Sequence, residues 1–521
     1  MVEWLLDCEP RAVQLEALRR SYYGHALYDA HEENGGEPNM RVLRDGPVRG
    51  WGHFLEMRLG KTPTTLNEYA LLNKHQGLPC LIVVSPNSYK VDWGREVEKF
   101  GLLTPTLVHD SRRNEGPGFL SATAKDREAI FVVNYESFIT ESAQHVIQEL
   151  LRRGAMLVAD ESIKLKGHSS LRTQAILDAA KDAPYTRPLT GRPLTQGPSD
   201  LYCQLRFAKK IEGVVYHQFK NRFQIMGGFK NKQVKGIKNE DKLNALIGQS
   251  AFVAKRIDWS TDDWDPQFLI EETPLTPKQL EHYNEMESEL LTSLDNGDIV
   301  TTTQMITARQ KMQQISSGFI YDEDGGVHWL EKPDQTPKAK KLLQALDEQD
   351  QKTVVVFHYA ATGEALLEML KPFDPAILFS TRGMKKHGRD IVSEKKRFNE
   401  SAKCRLILVQ AEAAKYGHDL SGRQFDRTTL MAFFENTYSL DTRSQVERRI
   451  TANNQDWQSF YLDFVSAPVE RGVIEALVRK EGMEEAIFGS YGKRRWVDEQ
   501  SLKVYDVKRY HEEDEEWPED L

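Results

Sequence analysis

The stretch Phe54-Leu-Glu-Met-Arg-Leu-Gly-Lys-Thr62 decides the fold, because an apolar run ends there in Gly60-Lys61-Thr62 and a helix-forming segment follows. Glycine lets backbone amides approach phosphate oxygens, the Lys61 ammonium can reach the β and γ phosphates, and the Thr62 hydroxyl can ligate Mg²⁺. The full phosphate-loop pattern has a further glycine where this chain has Leu55, so the match is partial. Taken alone, the stretch leaves a turn with a solvated lysine as the alternative.

Short apolar runs follow this loop, and polar segments with helical spacing separate them. Such runs are typical of buried parallel strands, and the alternation predicts an α/β sheet. A second set repeats the pattern, while residues 205–345 are helix-rich and lack strand-like runs, so we predict two α/β lobes around a helical middle. The runs are Cys80–Ser85, Ala129–Asn134, Ala155–Asp160 and Arg187–Gly191, then Thr353–His358, Ala376–Phe379, Arg405–Gln410 and Thr428–Phe434.

Two acidic residues, Asp160 and Glu161, follow one of the apolar runs of the first set. Ligands of a parallel sheet bind at the carboxyl ends of its strands, which places these carboxylates beside the predicted phosphate loop. Asp160 can then hold Mg²⁺ indirectly while Glu161 polarises the attacking water. The alternative is that the two acids cap the helix that follows.

Composition excludes several classes of protein. With 521 residues, 40% hydrophobic and 28% charged, the chain has the composition of a soluble globular protein of two to four domains. The first residues after Met1 carry acid where a signal peptide carries base, and the apolar runs are too short to span a bilayer. The four cysteines show no metal-ligand spacing. We therefore expect a cytoplasmic protein without membrane contact.

A basic segment with interleaved aromatic residues lies in the middle of the chain. The net charge of −9 does not argue against it, because a groove can be basic on an acidic protein. Flexible cations of this kind bind phosphate backbones without reading sequence. We select Lys232 and Lys235 as candidate nucleic-acid contacts, and a solvated helical face is the alternative. The cations are Lys209, Lys210, Lys220, Arg222, Lys230, Lys232, Lys235 and Lys238.

Eight motifs occur in order along the chain: Met57–Thr62, Ser85–Glu96, Asn134–Tyr135, Asp160–Lys166, Leu189–Leu194, Phe357–His358, Gly417–Leu420 and Gln445–Gln455. This set resembles the superfamily-two helicase-like ATPases, and most of all the Swi/Snf class of double-stranded DNA translocases. The resemblance covers nearly the whole chain. It implies two RecA-like parallel-sheet lobes with a helical insertion between them, ATP in the cleft, and DNA crossing both lobes.

The resemblance also implies roles for single residues at the nucleotide. Gln14 would contact the adenine edge, and Gly417 would open a segment that contacts both DNA and nucleotide. Gln445 and Arg449 would face the phosphates across the cleft. Together with the phosphate loop and the two acids, the predicted catalytic set is Lys61, Asp160, Glu161, Gln445 and Arg449, and the predicted cofactors are ATP and Mg²⁺.

On the nucleic-acid side, the resemblance implies that segments of the first lobe approach the strand backbone and that Thr190 couples the nucleotide site to DNA. For the Trp93 side chain, packing in the core is the alternative. The chain departs from the family pattern at Arg58, Ile163 and Arg192. The predicted nucleic-acid-binding residues are Trp93, Asn134, Tyr135, Thr190 and His358, in addition to the two lysines of the middle segment.

Ala452 is the most serious departure, because the family pattern has an arginine there that neutralises transition-state charge. An arginine finger contributes about 10³–10⁵ in rate. Three alternatives stay open: the chain hydrolyses ATP slowly, Arg448 or Arg449 substitutes, or the residue was changed to trap a state.

We predict a lobe of residues 1–204, a helical region of 205–345, a second lobe of 346–485 and an extension of 486–521 with an acidic tail. The predicted function is ATP-dependent translocation on double-stranded DNA by a monomer. Alternatives are a nucleotide-gated DNA-binding protein with weak hydrolysis, a strand-separating DNA or RNA helicase, and a motor acting on a DNA-bound protein such as RNA polymerase. The size suggests a bacterial or phage source, hence the cytoplasm of a bacterial or phage-infected cell.

Overall fold

A computed structural model describes most of the chain as two α/β lobes. The described residues are 2–22, 47–87, 89–227, 233–259, 266–295, 302–348, 351–414, 419–422, 427–451, 457–488, 495–498 and 503–506. Among them, no helix combines the length and the apolar content that crossing a bilayer requires. The acidic tail predicted at 511–521 lies outside the described residues.

The first lobe is built on a seven-stranded sheet in the order β3-β4-β2-β5-β6-β1-β9, and all its strand pairs are parallel. A separate antiparallel hairpin, β7–β8, is inserted between β6 and β9. The strands are β1 (Gly52–Leu55), β2 (Cys80–Ser85), β3 (Thr106–Val108), β4 (Ala129–Asn134), β5 (Ala155–Asp160), β6 (Tyr185–Leu189), β7 (Gln224–Gly227), β8 (Gln233–Ile237) and β9 (Ala251–Ala254).

Helices cover both faces of this sheet, which explains why β2, β4 and β5 are buried at every position and apolar up to their last residue. Successive side chains of a strand point to opposite faces: Ile82 and Val84 enter one core, and Leu81 and Val83 the other. The helices of this lobe are α1 (Ala12–Ser21), α2 (Lys61–Gln76), α3 (Lys90–Lys99), α4 (Gly116–Ala122), α5 (Glu141–Arg153), α6 (Leu171–Asp182), α7 (Leu201–Phe207), α8 (Tyr216–Phe223) and α9 (Glu240–Gly248).

The second lobe is built on an eight-stranded sheet in the order β14-β15-β13-β16-β17-β10-β18-β19, parallel except for the final pair. The hairpin β11–β12 lies outside the sheet. The strands of this lobe, hairpin included, are β10 (Gln267–Glu272), β11 (Phe319–Tyr321), β12 (Val327–Trp329), β13 (Lys352–Phe357), β14 (Ala376–Leu378), β15 (Leu406–Gln410), β16 (Thr428–Phe433), β17 (Phe460–Val465), β18 (Arg495–Asp498) and β19 (Lys503–Asp506).

Among the described residues, ten helices accompany the second sheet or link it to the first. Val354 and Val356 of β13 enter one core of this lobe, and Val355 and Phe357 enter the other. The helices are α10 (Arg256–Trp259), α11 (Pro277–Asp295), α12 (Thr302–Ser316), α13 (Pro337–Asp347), α14 (Ala360–Met369), α15 (Thr381–Lys386), α16 (Ile391–Glu400), α17 (Ala411–Ala414), α18 (Leu440–Glu447) and α19 (Pro468–Phe488).

These sheets confirm the predicted α/β class with two parallel-sheet lobes, but the expectation that residues 205–345 lack strands is wrong. Strand β9 closes the edge of the first sheet, and β10 lies in the second sheet between β17 and β18. Both were missed for physical reasons: β9 has four residues, and in β10 buried and half-exposed positions alternate. Helices α11 and α12 are therefore inserted between two strands of the second lobe. The predicted domain boundaries stay a prediction.

Helix α19 links the two lobes. Near its start, Val473 and Leu477 pack with Leu440 of α18 in the second lobe. Near its end, Met483 enters a core of the first lobe. Glu481 and Glu484 form ion pairs with Arg192 of the first lobe, with N–O distances of 3.2 and 2.5 Å. Arg192, one of the positions where the chain departs from the family pattern, thus binds this helix to the first lobe.

Candidate active site

The predicted phosphate loop connects β1 to α2. Gly60 is the N-cap of α2 and has φ 87°, in the left-handed region that favours glycine. A Cβ built there would lie 2.0 Å from Nε2 of Gln14, so no other residue fits without displacing that side chain. The structure therefore brings Gln14 directly against the loop, as expected of a residue near a bound nucleotide.

Helix α1 is held in this place by Arg11. The backbone N–H of Arg11 donates to Oε1 of Gln14 at 2.7 Å, and its guanidinium donates to the Arg58 carbonyl at 2.5 Å. Gln14 itself is buried. Its predicted contact with adenine stays a prediction, but its position beside the phosphate loop is one that such a contact requires.

Lys61 opens α2, and its ammonium donates to the Leu55 carbonyl at 3.0 Å. Thr62 is half-buried beside it. The first amides of a helix have no partner within the helix and carry a partial positive charge, so this terminus suits phosphate. The segment after Thr190 packs against the loop as well, since a Cβ on Gly191 would lie 3.4 Å from Lys61 Nζ.

Asp160 ends β5 and is buried. Its Oδ2 accepts hydrogen bonds from Trp93 Nε1 at 2.8 Å and Ser85 Oγ at 3.2 Å, and its Oδ1 accepts one from the Glu161 backbone at 3.1 Å. Burial raises the pKa of this carboxyl, and the hydrogen bond from Trp93 opposes that effect. Tyr135 donates to the Asp160 carbonyl at 2.7 Å and fixes the backbone.

Glu161 follows with φ 50°, a left-handed conformation that is uncommon for residues other than glycine. Burial raises the pKa of its carboxyl to about 7, against the opposing charge of Lys61 and with a further contribution from Asp160. A carboxylate with a pKa near neutrality is suited to accept a proton from water. Strained backbone at such a position is a recurring feature of active sites.

Two elements of the second lobe face these acids. The charge of Asp441 raises the pKa of the Glu161 carboxyl, and the charge of Arg449 lowers it. Gln445 donates to Asp441 Oδ1 at 2.7 Å. Arg449 donates to the Ala414 carbonyl at 2.9 Å, and its Nη2 lies 3.4 Å from the hydroxyl of a first-lobe tyrosine. The structure thus brings Gln445 and Arg449 to the cleft beside the predicted catalytic acids.

Two ion pairs join the phosphate loop to the second lobe. Arg448 Nη2 lies 2.7 Å from Glu56 Oε1, and Arg58 Nη2 lies 3.5 Å from Asp419 Oδ1. Sequence reasoning missed Glu56 and Asp419 as cleft residues, because their pairing depends on how the lobes meet. Ser85 was also missed, although it ends a strand at the same sheet edge as Asp160 and could have been found by that signal.

The residues predicted to contact nucleic acid have differing surroundings. Trp93, Tyr135 and Thr190 are buried. The structure therefore does not place the rings of Trp93 and Tyr135 on a surface that nucleic acid reaches, because both face Asp160. Asn134 is buried as well but lines a groove, and half-buried His358 donates its backbone N–H to Glu435 at 2.8 Å. Gly417, Lys232 and Ala452 lie outside the described residues.

A groove of about 1040 Å³ opens at the carboxyl ends of β2 and β4. At its rim, Asp110 and Glu115 pair with Arg112 and Arg113. Lys90 donates to the His109 carbonyl at 2.8 Å, which fixes its ammonium in the groove. Its polar and charged lining is Asn87, Lys90, His109, Asp110, Ser111, Arg112, Arg113, Glu115, Asn134, Glu136, Ser137 and Lys164.

The described part of the chain contains no cluster of three or more His, Cys, Asp or Glu residues that could hold a metal ion. Mg²⁺ does not require one, since it is commonly bound by one or two protein oxygens, water and substrate phosphates. The donor set of Asp160 and Thr62 beside the phosphate loop fits that mode.

Comparison with known proteins identifies a family whose model matches this chain. The model of the SNF2-related domain matches residues 1–319. The DNA annealing helicase and endonuclease ZRANB3 of Bos taurus is 30% identical over 152 residues, 29% of this chain and 13% of that protein. The SWI/SNF-related matrix-associated actin-dependent regulator of chromatin subfamily A-like protein 1 of Xenopus laevis is 24% identical over 204 residues, 38% of this chain and 20% of that protein. The alignments thus span a fifth or less of each relative.

Among solved structures, this chain is similar to the Sulfolobus solfataricus SWI2/SNF2 ATPase core in complex with dsDNA, with 17% sequence identity and a TM-score of 0.38. The alignment covers 94% of this chain and 95% of the Sulfolobus chain. The SWI2/SNF2 ATPase core domain of the same organism is 18% identical with a TM-score of 0.34, and covers 81% and 82%. The predicted bacterial or phage source of this chain stays a prediction. The family model covers more than half of the 521 residues, so the chain belongs to the SNF2-related domain family.

Proposed function

We propose that this chain uses ATP and Mg²⁺ to translocate along double-stranded DNA. The observation that carries the proposal is a shared sheet edge: the acids Asp160 and Glu161 and the groove that holds Lys90 both lie at the carboxyl ends of the first lobe's strands. Hydrolysis and backbone binding would then act on the same few segments. A motor requires such an arrangement, because binding, hydrolysis and release of the nucleotide must each change how the protein binds DNA.

The nucleotide would lie over the start of α2. Lys61 would exchange the Leu55 carbonyl for phosphate oxygens, and the helix amides would bind the same phosphates. Thr62 and Asp160 would hold Mg²⁺, which neutralises charge on the phosphates when it is bound. Gln14, already packed on Gly60, would border the base.

Hydrolysis would use the cleft between the lobes. Glu161 orients the attacking water and accepts its proton, and its raised pKa of about 7 makes it a better base than an ordinary glutamate. Gln445 and Arg449 approach from the second lobe and would stabilise charge on the phosphates. Because the site takes residues from both lobes, nucleotide binding favours closure and product release favours opening.

DNA would lie in the groove of the first lobe and extend to the second. Lys90 and Lys164 line that groove, and cations of this kind neutralise phosphates without reading bases. Lys235 lies on β8, half-buried against Gly227, and extends the set of cations. The relatives, a DNA annealing helicase and a regulator of chromatin, support a DNA substrate.

A second candidate is a nucleotide-gated DNA-binding protein with little turnover. The observation that favours it is Ala452, which supplies a methyl group where the family pattern has a guanidinium. The two candidates share the ATP site and the groove, and they differ in the rate of hydrolysis and in movement along the duplex.

Steady-state phosphate release tests the proposal. It is measured without nucleic acid and with duplex DNA, single-stranded DNA or RNA. We expect stimulation by duplex DNA above the other three conditions. Stimulation by single strands or RNA alone would point to a strand-separating helicase. ATP-dependent changes in duplex affinity without turnover would point to the nucleotide-gated protein.

Replacing Lys61 by alanine tests the phosphate loop. A charge-assisted hydrogen bond contributes about 1.5–3 kcal/mol, so we expect ATP affinity to fall about 10- to 150-fold. Fluorescence titration with a labelled ATP analogue measures it. Lys74→Ala is the matched control, because Lys74 lies in the same helix and pairs with Glu3 at the surface. Equal affinity in Lys61→Ala and the parent would mean that this loop does not bind phosphates.

Charge reversal of lysines in the groove tests whether the groove binds DNA. We expect Lys90→Glu and Lys164→Glu to weaken duplex binding and to reduce the slope of log affinity against log salt by about one each. Two variants of the middle segment, Lys232→Glu and Lys235→Glu, are compared with them. Fluorescence anisotropy measures the duplex affinity of all four variants at several salt concentrations. Lys181→Glu is the control, since its ammonium pairs with Asp178 on α6 and does not line the groove. Unchanged salt slopes in all four variants would exclude these surfaces.

A further inference from the structure

Three side chains bind Asp160, and each comes from a different segment of the first lobe. Ser85 and Trp93 donate to its carboxylate at 3.2 and 2.8 Å. Tyr135 donates to its carbonyl at 2.7 Å. All three donors are buried. The orientation of this carboxylate is thus set by the end of β2, by α3 and by the segment after β4.

The same three segments line the groove. Pro86 follows Ser85, Asn134 precedes Tyr135, and Lys90 lies one helical turn before Trp93, and all three of these neighbours are groove residues. Within α3, residues three apart lie on adjoining parts of one helix face. A phosphate bound at Lys90 therefore acts on a rigid element whose next turn holds Asp160.

Trp93 is the most direct of the three connections. Its hydrogen bond to Asp160 is the shortest made to the carboxylate, and its ring is anchored in the core cluster that also holds Val97 and Phe100. A small shift of α3 would move the indole N–H and change the direction of the carboxylate. Ser85 donates to the same oxygen from a sheet strand, which is less able to move.

We infer that Trp93 is a positioning residue that transmits occupation of the groove by DNA to the carboxylate of Asp160. This inference rests on the proposed function and deepens it. Trp93 touches neither substrate: its ring stays buried, and its N–H holds the acid in the direction that Mg²⁺ bound to ATP requires. DNA in the groove and nucleotide in the cleft then stabilise one arrangement of α3, and each raises the affinity of the other.

The experiment measures this coupling as binding, without turnover. The affinity of a fluorescent, non-hydrolysable ATP analogue with Mg²⁺ is measured with and without a saturating short duplex. Reciprocity requires the analogue to change duplex affinity by the same factor, typically about 5- to 150-fold. We expect at least a 5-fold effect in the parent. In Trp93→Phe, which keeps a ring but removes the N–H, we expect a factor of about one, with duplex affinity in the absence of nucleotide unchanged.

Trp51→Phe is the matched control, because Trp51 is buried in the same lobe and its indole N–H has no hydrogen-bond partner among the described residues. It should keep the coupling of the parent. Ser85→Ala is the second variant, expected to lower the coupling partly, and it decides the question if Trp93→Phe does not fold.

Two results overturn the inference alone. Full coupling in Trp93→Phe, or in Ser85→Ala where that variant decides, would show that the donors only support the fold. Loss of duplex affinity in Trp93→Phe without nucleotide would show that the indole group itself contacts DNA. A parent that binds the analogue but shows no duplex binding would instead refute the proposed function, and the inference with it.

Discussion

Glu161→Gln is expected to lower ATP turnover about 10²- to 10⁴-fold, because general base catalysis contributes about that much. The amide keeps the shape of the side chain but cannot accept a proton. The left-handed backbone at this position and the raised pKa of the carboxyl both mark it as a specialised group. Binding of ATP with Mg²⁺ is expected to persist, since Lys61, Thr62 and Asp160 are unchanged.

Phosphate release at saturating ATP and duplex measures the loss, and analogue titration measures the retained binding. Glu141→Gln is the control, an exposed glutamate in the first turn of α5. It should behave as the parent. Turnover in Glu161→Gln within a few-fold of the parent would assign the base to another group, and loss of ATP binding would make Glu161 a residue of the nucleotide pocket instead.

The parallel strands that are buried on both faces could be predicted from the sequence. Runs such as Cys80–Ser85 and Ala155–Asp160 are buried at every position and apolar up to their last residue, because helices cover both sides of the sheet. Strands with another pattern were missed: β17 has half-exposed positions among its buried ones and β9 is very short. Periodicity carries little information in such segments, and their place depends on the finished sheet.

The acids and the phosphate loop could be placed together for a simple reason: the carboxyl ends of parallel strands share one edge. The direction of a side chain within a segment could not be predicted in that way. Trp93 and Tyr135 belong to segments that border the groove, yet packing turns both toward Asp160. A motif near DNA therefore does not by itself identify which of its residues meets DNA.

The two arginines that depart from the family pattern have partners in the second half of the chain. Arg58 contacts Asp419, and Arg192 contacts Glu481 and Glu484 of α19. The first pair joins the phosphate loop to the second lobe, and the other pairs join the segment after Thr190 to α19, the helix that links the lobes. Each of these two arginines thus forms an ion pair with acidic side chains. The arginine and its acidic partners lie far apart in the sequence, so the pairing could not be read from one segment.

Ala452→Arg is expected to raise duplex-stimulated turnover about 10³-fold or more, the range that an arginine finger contributes. A planar, permanently charged guanidinium stabilises charge spread over the transferring phosphoryl group, and alanine offers no charge. The neighbouring arginines have other contacts: Arg449 binds the Ala414 carbonyl and the Tyr89 hydroxyl, and Arg448 pairs with Glu56.

Steady-state phosphate release from both proteins at saturating ATP and duplex measures the gain. Two further variants, Arg448→Ala and Arg449→Ala, are each made in the parent and in the Ala452→Arg background. They test whether one of these arginines serves as the arginine finger in the parent. If one of the two acts as the finger, its removal costs turnover in the parent and is rescued by Ala452→Arg, whereas a residue that only orders the cleft gives the same loss in both backgrounds. A parent that turns over briskly and gains nothing from the arginine would mean that the motif has another register or that another arginine is the finger.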